Sequence, residues 1–188
     1  MSIDVIPRHE WGAQPPRGTF TPVRWGATGV VHHTAGEYVD PADGKPGVGW
    51  RARRYLTNRR VQRALRAYDR KDAHVREREE AAMRSIQGLH QRGRGWTDIG
   101  YHYVIFPSGR IYEGRPAGTM GAHARNGNQH PGISFAGNYE ERSPTAASLG
   151  AFAHLTQHLG LRILIGHYRI PGNATACPGR HLKTTLGL

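Results

Sequence analysis

Three side chains in this sequence have the chemistry to hold a divalent metal, and their setting matters more than their number. Cys177 is the only cysteine, and the stretch Gly166-His167-Tyr168-Arg169-Ile170-Pro171-Gly172-Asn173-Ala174-Thr175-Ala176-Cys177-Pro178-Gly179 also holds His167. An apolar run over 161–165 leads into that histidine. Far upstream, Gly29-Val30-Val31-His32-His33-Thr34 repeats the arrangement, a β-branched run ending in imidazoles. Two buried strands ending in histidine, plus one thiolate, would give zinc two nitrogens and a sulfur. A fourth position stays open for water, the pattern of catalytic rather than structural zinc. The metal lowers the pKa of that water to about 7, which suits attack on an amide carbonyl. Each residue also has an ordinary reading: a lone cysteine is usually a small buried hydrophobe, and the His…Cys spacing is not that of a zinc finger.

An amide hydrolysis also needs a donor for the oxyanion of its tetrahedral intermediate. The phenol of Tyr101, which follows Trp96-Thr97-Asp98-Ile99-Gly100, suits that part. Thr175 is near enough to Cys177 in the chain to orient the water or the leaving amine. His33 should face away from the metal side, because neighbours on an extended strand alternate. His102, beside Tyr101, reads as packing or as support for the site. His154 and His158 are spaced as a helical metal pair, but no third ligand is obvious near them, so they read as polar helix positions.

Placing these residues takes strands alternating with helices. Thr28–His33 reads as a central strand, since a continuous β-branched run demands burial on both sides. Residues 101–106 and 110–113 read as a hairpin about Pro107-Ser108-Gly109. Residues 132–137 form another short strand, and 161–165 the strand that presents His167. Helices are expected over 50–68 and over 75–91, the latter with Ala82, Met83, Ile86, Leu89 and His90 inward. Ser143-Pro144 should open a third helix as cap and first-turn proline, with Leu149, Phe152, Ala153, Thr156 and Leu159 inward. A short helix follows Pro178. Residues 7–27 read as an extended segment that packs Trp11, Phe20 and Trp25 on the domain. The sum is a single α/β domain over 1–188, with a central mixed sheet flanked by helices and an Arg-rich insertion over 37–75.

The formal charge is +12 and the pI about 10.7. Such a chain seeks polyanions: nucleic acid, anionic lipid or an anionic wall polymer. Arg51, Arg53, Arg54, Arg59, Arg60, Arg63 and Arg66 concentrate that charge on the first helix, which reads either as a solvated face or as a foot for an anionic wall or membrane surface. Nucleic acid is not expected, because no zinc-finger spacing, RNA-recognition motif or set of base-stacking aromatics accompanies the charge. No apolar run reaches the roughly 18 residues of a membrane span. The first residues lack a basic start followed by an apolar core, so they are not a secretory signal as written. One cysteine excludes an intrachain disulfide.

The motifs together resemble the peptidoglycan-recognition-protein and type 2 N-acetylmuramoyl-L-alanine amidase family, phage endolysin amidases included. The resemblance runs from Ile6 to about Leu182. It rests on Arg8-His9-Glu10-Trp11-Gly12-Ala13, Val31-His32-His33-Thr34-Ala35-Gly36, Gly95-Trp96-Thr97-Asp98-Ile99-Gly100-Tyr101-His102, Gly109-Arg110-Ile111-Tyr112-Glu113-Gly114-Arg115, Gly121-Ala122-His123 and Thr175-Ala176-Cys177-Pro178-Gly179. It implies a Zn2+ enzyme that cuts the amide between N-acetylmuramic acid and L-alanine of peptidoglycan. Its metal ligands would be His32, His167 and Cys177, with Tyr101 catalytic and Thr175 assisting. It places His33 and Thr34 at a cleft floor, and matches His90, Gly95, Trp96, Arg115, His123 and Asn128 to positions that contact sugar or stem peptide. Gly95-Trp96 with Arg115 resembles the combination linked to meso-diaminopimelate stems, where an arginine can pair with the extra carboxylate. Receptors of the same family bind muropeptides without cutting them and typically lack a ligand, so the alternative is a non-catalytic peptidoglycan binder. An enzyme made in the cytoplasm that reaches the wall after release, as endolysins do, fits the absent signal. The chain departs from relatives around Pro171-Gly172-Asn173, at His130-Pro131-Gly132, and over the Arg-rich stretch.

Overall fold

The strand that ends in the paired histidines is interior to the sheet, one place in from its edge. In the computed structural model, which describes residues 3–36, 39, 40 and 59–188, β2 (Thr28–His33) is buried from Gly29 onward. It lies between β5 (Gly132–Phe135) and β6 (Ile163–Gly166), parallel to both. β3 (Tyr103–Ile105) and β4 (Ile111–Glu113) form an antiparallel hairpin, and β1 (Val5–Ile6) pairs in parallel with β4. The six strands run β1-β4-β3-β5-β2-β6, a mixed sheet as expected. Strand β1 is an addition, since the sequence suggested only an extended segment from residue 7 onward.

Alternation along the strands puts core residues on both faces of the sheet. Val31, Tyr103, Ile105 and Ile133 pack with Phe152 and Leu155 of α2 (Ala146–His158) and Leu182 of α3 (Arg180–Leu186). Val104 and Tyr112 pack instead with Trp11 and with Val75 and Met83 of α1 (Arg59–Gly88). Buried Glu79 ties α1 to β4, accepting from Tyr112 Oη at 3.0 Å and from Arg110 at 3.2 Å.

The helices differ from the sequence reading in three places. One helix of 30 residues runs through the gap expected at 69–74. That gap holds no glycine or proline, so nothing stops the helix there. The part of the first expected helix before residue 59 lies outside the described residues. Leu89, expected inward, is 57% exposed. Within a π-helical turn over Leu89–Gly93, His90 faces inward as expected and Gln91 joins it. In α2 the cap is Thr145 rather than Ser143: Thr145 Oγ1 accepts from Ser148 N at 3.0 Å and donates to the Pro107 carbonyl at 2.6 Å. Leu155 fills the inner stripe where Ala153 was expected, and Ala153 is exposed.

Candidate metal centre

Strand register explains why remote residues meet. Val31 pairs with Gly166 across parallel β2 and β6. The next residue in each segment, His32 on β2 and His167 just past the end of β6, therefore emerges at the same carboxyl-terminal edge, the usual place for a site in a mixed or parallel sheet. Their rings lie 4.6 Å apart between centroids. Cys177 reaches them from the loop before α3, where its Sγ accepts from His33 N at 3.3 Å. His32 Nδ1 is 3.7 Å from Cys177 Sγ, and the three ligand atoms lie within 4.8 Å of one another.

This donor set fits zinc. Zn–N and Zn–S bonds of about 2.0–2.3 Å in a tetrahedron put ligand atoms roughly 3.3–3.8 Å apart. Burial holds His32 well below the ordinary imidazole range, helped by the neighbouring His123 and His167, and burial lowers His167 as well. Both are therefore neutral imidazoles, the form that ligates metal. Burial pushes the Cys177 thiol up to about 12, so a metal must displace its proton to bind the sulfur.

Tyr101 stands next to this trio, its ring 5.3 Å from His32 and 5.6 Å from His90. Burial, with Cys177 nearby, pushes its phenol up to about 12, so it is an O–H donor at neutral pH. Thr175 is exposed, and its Oγ1 accepts from Cys177 N at 3.1 Å, which shapes the loop that delivers the sulfur. A groove of about 300 Å³ runs from His167 past Trp96, His123 and Asn128, with Arg94 and Arg125 on its walls. His90 stacks beneath Trp96 at 4.8 Å and accepts from Gly100 N at 3.1 Å. Gly95 precedes Trp96 with a φ of +69°, the left-handed turn that glycine takes freely.

Other expected contacts lie elsewhere. His33 is on the opposite side of β2 from His32, as period-2 alternation requires, and its Nδ1 accepts from Tyr139 N at 3.1 Å rather than facing a cleft floor. Thr34 turns its Oγ1 to Gly137 N at 2.9 Å. Arg115 is only 6% exposed and lies off the groove walls. Its Nε and one terminal nitrogen donate to the carbonyls of Ile99 and Met120 at 2.8 and 2.9 Å. His123 edges the groove but packs behind His32, where its Nδ1 is 3.0 Å from His32 Nε2. Burial brings His123 down to about 3, so it too is neutral. His102 accepts from Gly132 N at 2.9 Å and packs 5.7 Å from His123.

Sequence reasoning missed three residues here: Arg94, Arg125 and Asn173. Asn173 Oδ1 is 3.0 Å from His167 Nε2. Only the departure from family pattern around it pointed there.

Residues 27–180 match the N-acetylmuramoyl-L-alanine amidase family. The chain is similar to peptidoglycan-recognition protein SC2 of Drosophila melanogaster, 29% identical over 190 residues, or 97% of this chain and 84% of that protein. It is 33% identical over 192 residues to an N-acetylmuramoyl-L-alanine amidase of Sus scrofa, covering 97% of this chain and 26% of that protein. Its fold is similar to peptidoglycan recognition protein-LE in complex with tracheal cytotoxin, a monomeric diaminopimelic acid-type peptidoglycan. That match has a TM-score of 0.70 at 28% identity and covers 97% of this chain and 91% of the other.

Proposed function

Because the chain belongs to the N-acetylmuramoyl-L-alanine amidase family, we propose that it is a zinc-dependent amidase cutting the bond between N-acetylmuramic acid and L-alanine of peptidoglycan. The observation that carries the reading is the 3.7 Å approach of His32 Nδ1 to Cys177 Sγ beside His167, at one end of a groove. His32, His167 and Cys177 would hold the zinc, which when bound supplies Lewis acidity and a more acidic water at the groove's end. The protein's own groups do the rest. The groove holds the muramyl peptide with its scissile amide toward Tyr101. The phenol, kept protonated by burial, donates to the carbonyl oxygen as negative charge develops there. Thr175 keeps Cys177 in place and stands at the lip of the site, where its hydroxyl can meet the leaving amine.

The stem peptide meets the arginines of the groove. Arg94 stacks over Trp96 at 5.0 Å, and Arg125 lies across from it. Two cations beside one aromatic suit a peptide with an additional carboxylate, so diaminopimelate-type stems are the preferred substrate in this reading. Arg115 contributes by holding the Ile99 and Met120 backbone under the groove. The relative solved with a diaminopimelic acid-type ligand supports the same preference. The proposal extends to a wall-lytic enzyme, endolysin-like, that is made in the cytoplasm and reaches the wall after release. The +12 charge suits it to an anionic wall.

Mass spectrometry of muramyl peptides incubated with the zinc-loaded protein tests the activity. Expected products are a free L-alanine amino terminus and a lactyl carboxylate, lost on chelation, with faster release from diaminopimelate than from lysine stems. Tight muropeptide binding without these products would make the protein a recognition module instead.

A further inference from the structure

A histidine can ligate a metal through either ring nitrogen, and the partner of the other nitrogen selects which. Both ligand histidines here have such a partner. His32 Nε2 is 3.0 Å from His123 Nδ1, and His123 Nε2 is 3.0 Å from the His130 carbonyl. A carbonyl only accepts, so the single proton of neutral His123 sits on Nε2. Its Nδ1 is then a bare acceptor, and His32 must donate from Nε2. That leaves His32 Nδ1 free, on the side facing Cys177 Sγ.

His167 is held in the same sense by a different residue. The Asn173 amide is oriented by backbone alone: Nδ2 donates to the Arg125 and Ile170 carbonyls at 2.7 and 3.1 Å, and Oδ1 accepts from Arg125 N at 3.0 Å. A flipped amide would lose all three contacts. Its Oδ1 therefore accepts from His167 Nε2–H at 3.0 Å, again leaving Nδ1 free.

The chain makes room for the first of these contacts. A Cβ on Gly121 or on Gly132 would lie 2.4 Å from His123 Cδ2, so only glycine at both positions admits the ring between them. Asn128 Oδ1 accepts from His123 N and Ala124 N at 2.8 and 2.9 Å, which anchors the loop.

We infer that His123 and Asn173 are positioning residues of the metal centre, each fixing one ligand imidazole with Nδ1 toward the ion. The inference rests on the zinc reading above and assigns His123 a place behind the metal rather than a primary contact to sugar or peptide.

Competition with a chromophoric chelator measures zinc affinity, and the spectrum of the Co2+-loaded protein reports ligand geometry. His123→Ala and Asn173→Ala should each bind zinc roughly 10- to 100-fold more weakly, with broadened or weakened tetrahedral Co2+ bands. His123→Asn and Asn173→Gln keep an acceptor near the same place, the latter with its amide donor, and should recover most of the affinity; a purely structural role would show no such rescue. Asn173 lies on a surface loop, so its variants decide the matter even if His123→Ala fails to fold. Folded alanine variants that hold zinc as tightly as the parent, or acceptor-retaining variants no better than alanine, overturn the inference. A parent protein that takes up no zinc would instead overturn the metal centre itself.

Discussion

His32 and His33 are adjacent in sequence and serve opposite faces of one strand, one facing the sulfur and the other bonded to Tyr139 N. That division was legible beforehand, because period-2 alternation needs nothing but an extended chain. The contacts behind the ligands were not legible. His123 meets His32 across 91 positions, and Asn173 meets His167 only because a loop turns back on itself. Arg115 shows a related point: a motif gives the residue but not that two of its three guanidinium nitrogens donate to backbone carbonyls. Tyr101 offers the sharpest kinetic prediction at this scale. Tyr101→Phe should lower kcat by roughly 100- to 1000-fold with little change in KM, because its hydrogen bond strengthens only as charge develops. Unchanged kcat in steady-state kinetics would remove the phenol from the mechanism. Cutting Arg94 and Arg125 to Ala should raise KM for diaminopimelate stems more than for lysine stems. Equal effects on both would separate the arginines from stem selection.

At the level of elements, strands were easier to read than helix ends. The β-branched run of β2 appears with the bounds expected, and the flanking strands differ only at their ends. Helix register is less visible in sequence, because the π-helical turn over Leu89–Gly93 has no obvious signature and Leu89 is exposed there. The start of α2 was misplaced because Ser143, Pro144 and Thr145 are all acceptable near a helix start. Only the contact from Thr145 Oγ1 to Ser148 N distinguishes them. The same hydroxyl donates to Pro107 in the hairpin turn, so the cap also docks α2 onto β3 and β4. Thr145→Ala should therefore cost about 1–2 kcal/mol in urea unfolding, whereas Ser143→Ala should cost little. Equal effects would mean the cap does not lie where the hydrogen bond puts it.

Across the whole molecule, buried histidines set the response to acid. Burial brings His90 and His102 each down to about 4 from the usual 6.5. Between these values the unfolded chain takes up protons that the folded chain refuses. Their contribution is therefore complete above pH 6.5 and is lost as pH falls toward 4. At pH 5 each costs about 2 kcal/mol, which together should lower Tm by roughly 10 °C relative to pH 7.5. A flat Tm over that range would mean these imidazoles titrate normally. Charge is the other molecular property, and composition alone makes it plain. Binding to isolated wall should weaken as salt rises from about 0.05 to 0.5 M, since exposed charges are then screened. Of the arginines expected to concentrate that charge, Arg59, Arg60, Arg63 and Arg66 lie on α1, and Arg51, Arg53 and Arg54 lie outside the described residues. Salt-indifferent binding would take the charge out of the account.

The most direct test of the metal centre is X-ray absorption at the zinc edge of the loaded protein. One sulfur at about 2.3 Å and two imidazole nitrogens at about 2.0–2.1 Å, with the sulfur lost in Cys177→Ser, is the predicted result. A zinc shell of oxygen and nitrogen only, unchanged by Cys177→Ser, would contradict it.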